Sequence, residues 1–144
     1  MQFTLPLPPP PTHQAALRIL KTRDGRQFIG KMARSNAVKW GKAATMLLRS
    51  DVTRLDHALI TEACYVHIRF YYAHTKESKR EAVRGGYTVV DKATRPDLDN
   101  LAKGVLDCMV HAGVLKDDGL ICQLTLAKYY SDTEQVTIDI VTKA

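Results

Sequence analysis

The order of periodic segments in this chain predicts a small single α/β (α+β) domain over residues 1–144, a mixed β-sheet packed by two main helices. Three observations carry that expectation. Residues 62–72 alternate, with Cys64, Val66, Ile68, Phe70 and Tyr72 on one side and Tyr65, His67, Arg69 and Tyr71 on the other, as a half-buried strand does. Two segments, 35–50 and 98–112, repeat apolar residues at spacings of three and four, the period of an amphipathic helix. Two last stretches, 121–130 and 135–141, close the chain as strands joined by a hairpin loop at Ser131-Asp132-Thr133-Glu134.

Taken in order, Phe3, Leu5 and Leu7 alternate with Gln2, Thr4 and Pro6 as a short first strand, and Pro8 to Pro11 stop it. Residues 17–29 form a hairpin signal in which Asp24-Gly25 suits a type I′ turn. Arg18, Lys21, Arg23 and Arg26 decorate it, so the ribbon is a candidate to lie along a DNA backbone; charges that protect a solvated edge explain it equally well. Ser35 caps a helix to about Ser50, with Ala37, Trp40, Ala44, Leu47 and Leu48 on its buried face. Residues 51–60 are left as a connection. From 73 to 95 the chain loses period and gains charge, with Lys76, Lys79, Arg80, Arg84, Lys92 and Arg95 around Gly85-Gly86. A stretch of this length without period is expected as a basic flexible loop, either a flap that orders over DNA or plain disorder. In the two final strands Cys122, Leu124 and Leu126, then Val136, Ile138 and Ile140, are the expected inward positions.

The chain carries a net charge of +6 and a pI near 9.3, which favours an anionic partner. Residues 1–95 hold seventeen bases against seven acids, so phosphate binding is expected there. Three cysteines, 64, 108 and 122, are odd in number and widely spaced in apolar surroundings, which argues for reduced core residues and against a disulfide or zinc framework. Five histidines show no ligand spacing, and His111 is expected at the surface. No apolar run approaches a membrane span and the start lacks a leader pattern, so the expected location is the cytoplasm.

Charge inverts between residues 96 and 119, where five acids meet two bases. Leu98, Leu101, Val105, Leu106, Met109 and Ala112 mark a helix ending at Gly113, with Asp97 or Asp99 as its N-cap. Asn100, Lys103 and Asp107 follow one another on the opposite face. Asp117-Asp118-Gly119 is a turn signature presenting two more carboxylates. Each acid alone is explained by a cap, a helix dipole or a turn. If the loop folds back beside the helix start, the acids converge, and like charges gathered with one lysine call for a shared hard cation, Mg²⁺ or Mn²⁺. The chemistry then expected is metal-assisted phosphodiester hydrolysis, with Lys103 balancing charge on the phosphoryl oxygens.

The composite Asp97-Leu98-Asp99-Asn100-Leu101-Ala102-Lys103, helical Asp107, and Ala112-Gly113-Val114-Leu115-Lys116-Asp117-Asp118 resembles the signature of the RusA family of Holliday junction resolvases. That resemblance implies Asp97, Asp99 and Asp118 as metal ligands and, with Lys103, as the catalytic set, with Asn100, Asp107 and Asp117 as possible support. It further implies a homodimeric, Mg²⁺-dependent endonuclease, bacterial or phage-encoded, that cuts four-way DNA junctions in recombination and repair. The strand ending in Leu-Pro and the prolines that follow also fit, although His13 stands where the family often has asparagine, and the 73–95 link is longer than usual. Two other classes compete: a metal-dependent hydrolase of small nucleotides, and a non-catalytic basic DNA-binding protein.

Overall fold

The computed structural model describes residues 1–11, 16–32 and 35–143, without the side chains of 16–20, 28–32 and 35. Thr12 and His13 of the expected proline-rich exit therefore lie outside the described residues, as does the capping side chain of Ser35. The described residues build a five-stranded mixed sheet, a separate two-stranded ribbon and three α-helices, an α+β domain.

The sheet is arranged around β4 (Cys64–Ala73), whose inward residues Cys64, Val66, Ile68 and Phe70 are all buried. A strand with so continuous an apolar row is stable where neighbours and helices cover it fully. On one edge it pairs antiparallel with β7 (Gln135–Thr142), and on the other parallel with β6 (Ile121–Ser131). Beyond β7 lies β1 (Gln2–Leu5), with Phe3 and Leu5 buried as their alternation predicts. Beyond β6 lies the two-residue β5 (Val90–Asp91), giving the order β1-β7-β4-β6-β5 among the described residues. The helices α1 (Ser35–Arg54) and α3 (Leu98–His111) pack on each other. Trp40, Ala44 and Leu48 from α1 and Leu101, Val105 and Met109 from α3 join the sheet's inner face in one core.

Several expectations change. The last two strands are not a hairpin: β4 lies between them, and the linker 132–134 crosses its end. The crossing is two strand spacings, roughly 10 Å, within reach of a few extended residues. Cys122 is exposed rather than inward. The pairing of β4 with β6 shifts register between Cys64/Ile121 and Tyr65/Gln123, a bulge that gives the inward place to Ile121 and leaves Cys122 outside. Leu124 stands opposite Val66 yet is 40% exposed, because β5 covers β6 only at Tyr129 and Tyr130. Cys64 and Cys108 are buried free thiols, and burial raises the pKa of both, which makes them poor nucleophiles.

Helix α1 continues a turn past Ser50, so 51–54 belong to it rather than to the connection. In the 73–95 segment, α2 (Lys76–Gly85) stands where a loop was expected. Thr75 accepts from the Ser78 amide at 3.1 Å while Ser78 Oγ accepts from the Thr75 amide at 2.9 Å. This reciprocal cap uses serine where glutamate or glutamine is the usual signal. Gly86, at φ 68°, terminates the helix. In the ribbon of β2 (Ala16–Lys21) and β3 (Gln27–Met32), the Gly25 amide donates to Thr22 O and the Thr22 amide to Arg26 O. Gly25 has φ 90° whereas Asp24 is not left-handed, so the turn is a three-residue loop with a single left-handed glycine, not type I′.

Leu101 is fully buried at the centre of the α3 contact with the sheet. Leu101→Ala is expected to lower unfolding free energy by roughly 2–5 kcal/mol through lost transfer energy and the cavity left behind. Urea denaturation checks this: the midpoint falls while the slope is retained.

Candidate metal and DNA site

Helix α3 begins with an acid that does not serve as its cap. Asp97 occupies the N-cap position in extended backbone, φ −72° and ψ 144°, but its carboxylate accepts none of the helix's amides. Its carbonyl accepts the first helical bond, from Leu101 N–H at 3.2 Å. An N-cap aspartate usually satisfies one of the orphan donors. Here the carboxylate stays exposed and uncommitted, and Asp99, in the first turn, is exposed beside it. Lys103 is exposed one helical turn beyond Asp99, on the same face. Asn100 is half-buried. Asp107, a turn further still, lines a cleft of about 570 Å³ between α1 and α3 with Trp40, Arg49, Cys108 and His111. His111 is exposed, as expected, and its carbonyl accepts from Arg49.

The second acidic pair is organised by its own turn. Asp117 accepts from the Gly119 amide at 2.7 Å and caps a single 3₁₀ turn, Asp118–Leu120, which packs against α3. The Gly119 amide, followed by a hydrogen bond with Asp118, holds the Asp117 carboxyl below its ordinary value of 3.8. Both residues are exposed.

These two acidic groups meet β6 at different points. Asp118 precedes Ile121, the first residue of β6, while Pro96, next to Asp97, is held by Lys128, seven residues further along the same strand. Seven extended residues span roughly 23 Å. Among the described residues, no three His, Cys, Asp or Glu side chains group closely enough to hold a metal ion. Mg²⁺ does not need such a cage, since one or two carboxylates with water and substrate phosphate commonly hold it. The free carboxylates of Asp97 and Asp99 fit that donor set.

The segment leading into α3 is stapled by two lysines. Lys128 Nζ donates to Thr94 O at 2.5 Å and to Pro96 O at 2.8 Å. Lys92 Nζ donates to Thr94 Oγ1 at 2.6 Å and to the Tyr130 hydroxyl at 3.2 Å, and lies over the Tyr72 and Tyr130 rings at 4.9 and 4.8 Å. The hydrogen bond with Thr94, then that with Lys92, lowers the Tyr130 pKa, whereas burial pushes Tyr72 up to about 12. Sequence reasoning missed Lys128, which shares its sheet face with Phe70 and carries no motif of its own. The basic residue in an otherwise apolar strand row was the available signal.

The other basic candidates divide. Lys21, Arg23 and Arg26 are exposed at the ribbon tip, with Arg26 paired to Asp24 at 3.4 Å; the side chain of Arg18 lies outside the described set. Lys76, Arg80 and Arg84 are exposed on α2, while Lys79 is tied to Asp132 at 2.7 Å. Arg95 is exposed, and Lys92 is turned inward to the tyrosines.

A DNA nuclease is the class that the family match gives to this small α+β domain. The chain is a member of the family "Endodeoxyribonuclease RusA", whose profile matches residues 6–141. It is also similar to YqaN of Bacillus subtilis (strain 168), itself described as uncharacterized, at 34% identity over 66 residues. That stretch is 46% of this chain and 44% of YqaN, so the match spans less than half of either protein.

The depressed pKa of Asp117 sets a direction for acid stability. A carboxylate lowered by folding contributes stability that is present above its unfolded value and lost as pH falls through the folded one. Carboxyl-detected NMR is expected to place Asp117 below 3.8. Asp117→Asn, which keeps an oxygen for the Gly119 amide, is expected to lose less melting temperature than the parent between about pH 4 and pH 2.

Proposed function

We propose that this protein is a divalent-metal-dependent endodeoxyribonuclease that resolves four-way DNA junctions by paired symmetric nicks. It acts as a homodimer, in recombination and repair, in the cytoplasm of a bacterium and from a bacterial or phage gene. The observation that carries this reading is the Asp97 carboxylate, which sits at a helix N-cap without capping, two residues from exposed Asp99. Membership of an endodeoxyribonuclease family over residues 6–141 supports the same conclusion.

Asp97 and Asp99 would hold Mg²⁺, or Mn²⁺ in its place, together with Asp118. Among the described residues Asp118 does not group with Asp97 and Asp99, so a second copy of the chain is the proposed source of that third carboxylate. When bound, the cation supplies a water of lowered pKa and a Lewis acid for the scissile phosphate. The protein's own groups do the rest. Lys103 places an ammonium one turn from Asp99, where charge on the phosphoryl oxygens is balanced. Asn100 and Asp117 orient their neighbours, and Asp107 supports the helix face that carries Lys103. Lys76, Arg80 and Arg84 on α2, with Lys21, Arg23 and Arg26 at the ribbon tip, provide exposed cations for DNA phosphates. A junction has two symmetric strands to cut, and a chain with one such site meets that need as a two-fold dimer.

A labelled four-way junction incubated with Mg²⁺ tests the proposal. The parent protein is expected to make paired nicks, and Asp99→Asn to lose roughly 10²-fold or more in rate while retaining junction binding, because metal chemistry contributes several kcal/mol at the transition state. Turnover of free nucleotides without junction cutting would identify a small-nucleotide hydrolase instead. Binding without Mg²⁺ and without nicking would identify a non-catalytic DNA-binding protein. Arg80→Ala with Arg84→Ala is expected to weaken junction affinity and to flatten its salt dependence by about 0.9 in log–log slope for each phosphate the variant no longer neutralises, as measured by fluorescence anisotropy.

A further inference from the structure

We propose that Lys128 is a positioning residue for the Asp97/Asp99 pair. Its ammonium fixes the 94–96 segment, and thereby the place and direction from which both carboxylates leave the head of α3. This inference rests on the nuclease reading of those two acids.

A lysine ammonium is a compact cation with three donors. In Lys128 two of them go to main-chain carbonyls, Thr94 O at 2.5 Å and Pro96 O at 2.8 Å, three residues and one residue before Asp97. Lys128 stands beside Phe70 on the helix-facing side of the sheet, where alternation asks for an apolar side chain. Its aliphatic stem satisfies that place, and its half-buried head reaches past the core to the loop. The chain here has little ladder to define it. The Lys92 amide donates to Lys128 O, and the next main-chain bond that bears on the site is Leu101 N–H to Asp97 O. Between them Pro96 has no amide to offer, and Thr94 is held through its carbonyl by Lys128 and through its hydroxyl by Lys92. Asp97 itself makes no cap bond that would fix it from the helix side. Lys128 therefore supplies from the sheet the constraint that a capping side chain would ordinarily supply from the helix. Its role differs from that of Lys103, which is exposed on the face of α3.

Two measurements on the full chain test this, and they fail independently of each other. The first needs neither DNA nor metal. In Lys128→Met, hydrogen exchange is expected to quicken about tenfold or more at the Leu101 amide, which makes the first bond of α3, while amides of β4 keep parental protection. Parental exchange at the head of α3 in a folded Lys128→Met protein overturns the proposal. Should Lys128→Met lose β4 protection as well, Lys128→Gln, which keeps a polar head at that place but is too short to hold both carbonyls, is the deciding variant. Faster exchange at Leu101 there supports the clamp, and unchanged exchange overturns it.

The second is junction cleavage across a Mg²⁺ titration. Lys128→Met is expected to lower kcat roughly 10- to 100-fold and to raise the Mg²⁺ concentration giving half the maximal rate, with KM for the junction and its binding in Ca²⁺ unchanged. Lys128→Arg is expected to recover part of the rate. A loss confined to junction affinity, with a shallower salt dependence, overturns the proposal and makes Lys128 a phosphate-binding residue. If the parent protein cuts no junction, the nuclease reading falls by itself, and the exchange measurement still decides what Lys128 does.

Discussion

The central place of β4 is the constraint on which the rest of this molecule depends. Cys64, Val66, Ile68 and Phe70 are each at most 2% exposed. Burying a side chain of that size is worth roughly 1.5–3 kcal/mol. No arrangement that left β4 at an edge would recover that much, so β6 and β7 are driven to opposite sides of it. The reversal between them then becomes a crossing over the end of β4. The inner face thus formed seats α3, and through α3 it sets where the acidic motif stands.

With β4 at the centre, β6 acquires two duties. Its first residue follows the Asp117-Asp118 turn, and its Lys128 holds the loop that delivers Asp97. One strand therefore sets the spacing of both acidic groups. Asp97 and Asp99, two residues apart at the head of α3, are both exposed.

The basic exterior is less uniform than its composition implies. Lys79 is occupied by Asp132 and Lys92 by two tyrosine rings, so part of the positive charge in residues 73–95 goes to holding α2 and the pre-helix loop. Arg80 and Arg84 remain exposed at helical spacing on one face. Ordering this segment as a helix gives those arginines a fixed geometry that a bare loop would lack.

Local chemistry was legible in the chain because it is carried by neighbours in sequence. The alternation of Phe3 and Leu5, the period of Leu101, Val105 and Met109, the stop at Gly113 and the order of acids from Asp97 to Asp118 are all short-range patterns with direct structural consequences. The start of α2 carries no such mark, because Ser78 takes the part usually signalled by glutamate or glutamine, and Cys122 departs from its expected inward place because a bulge changes the parity of a strand without a mark in composition. The clamp from Lys128 to Thr94 and Pro96 and the inward turn of Lys92 join residues between 20 and 38 positions apart, and the strand order joins residues as distant as Gln2 and Asp139. Such pairings are chosen by which apolar faces must be buried together, a property of the whole core, and only the tertiary structure decided them.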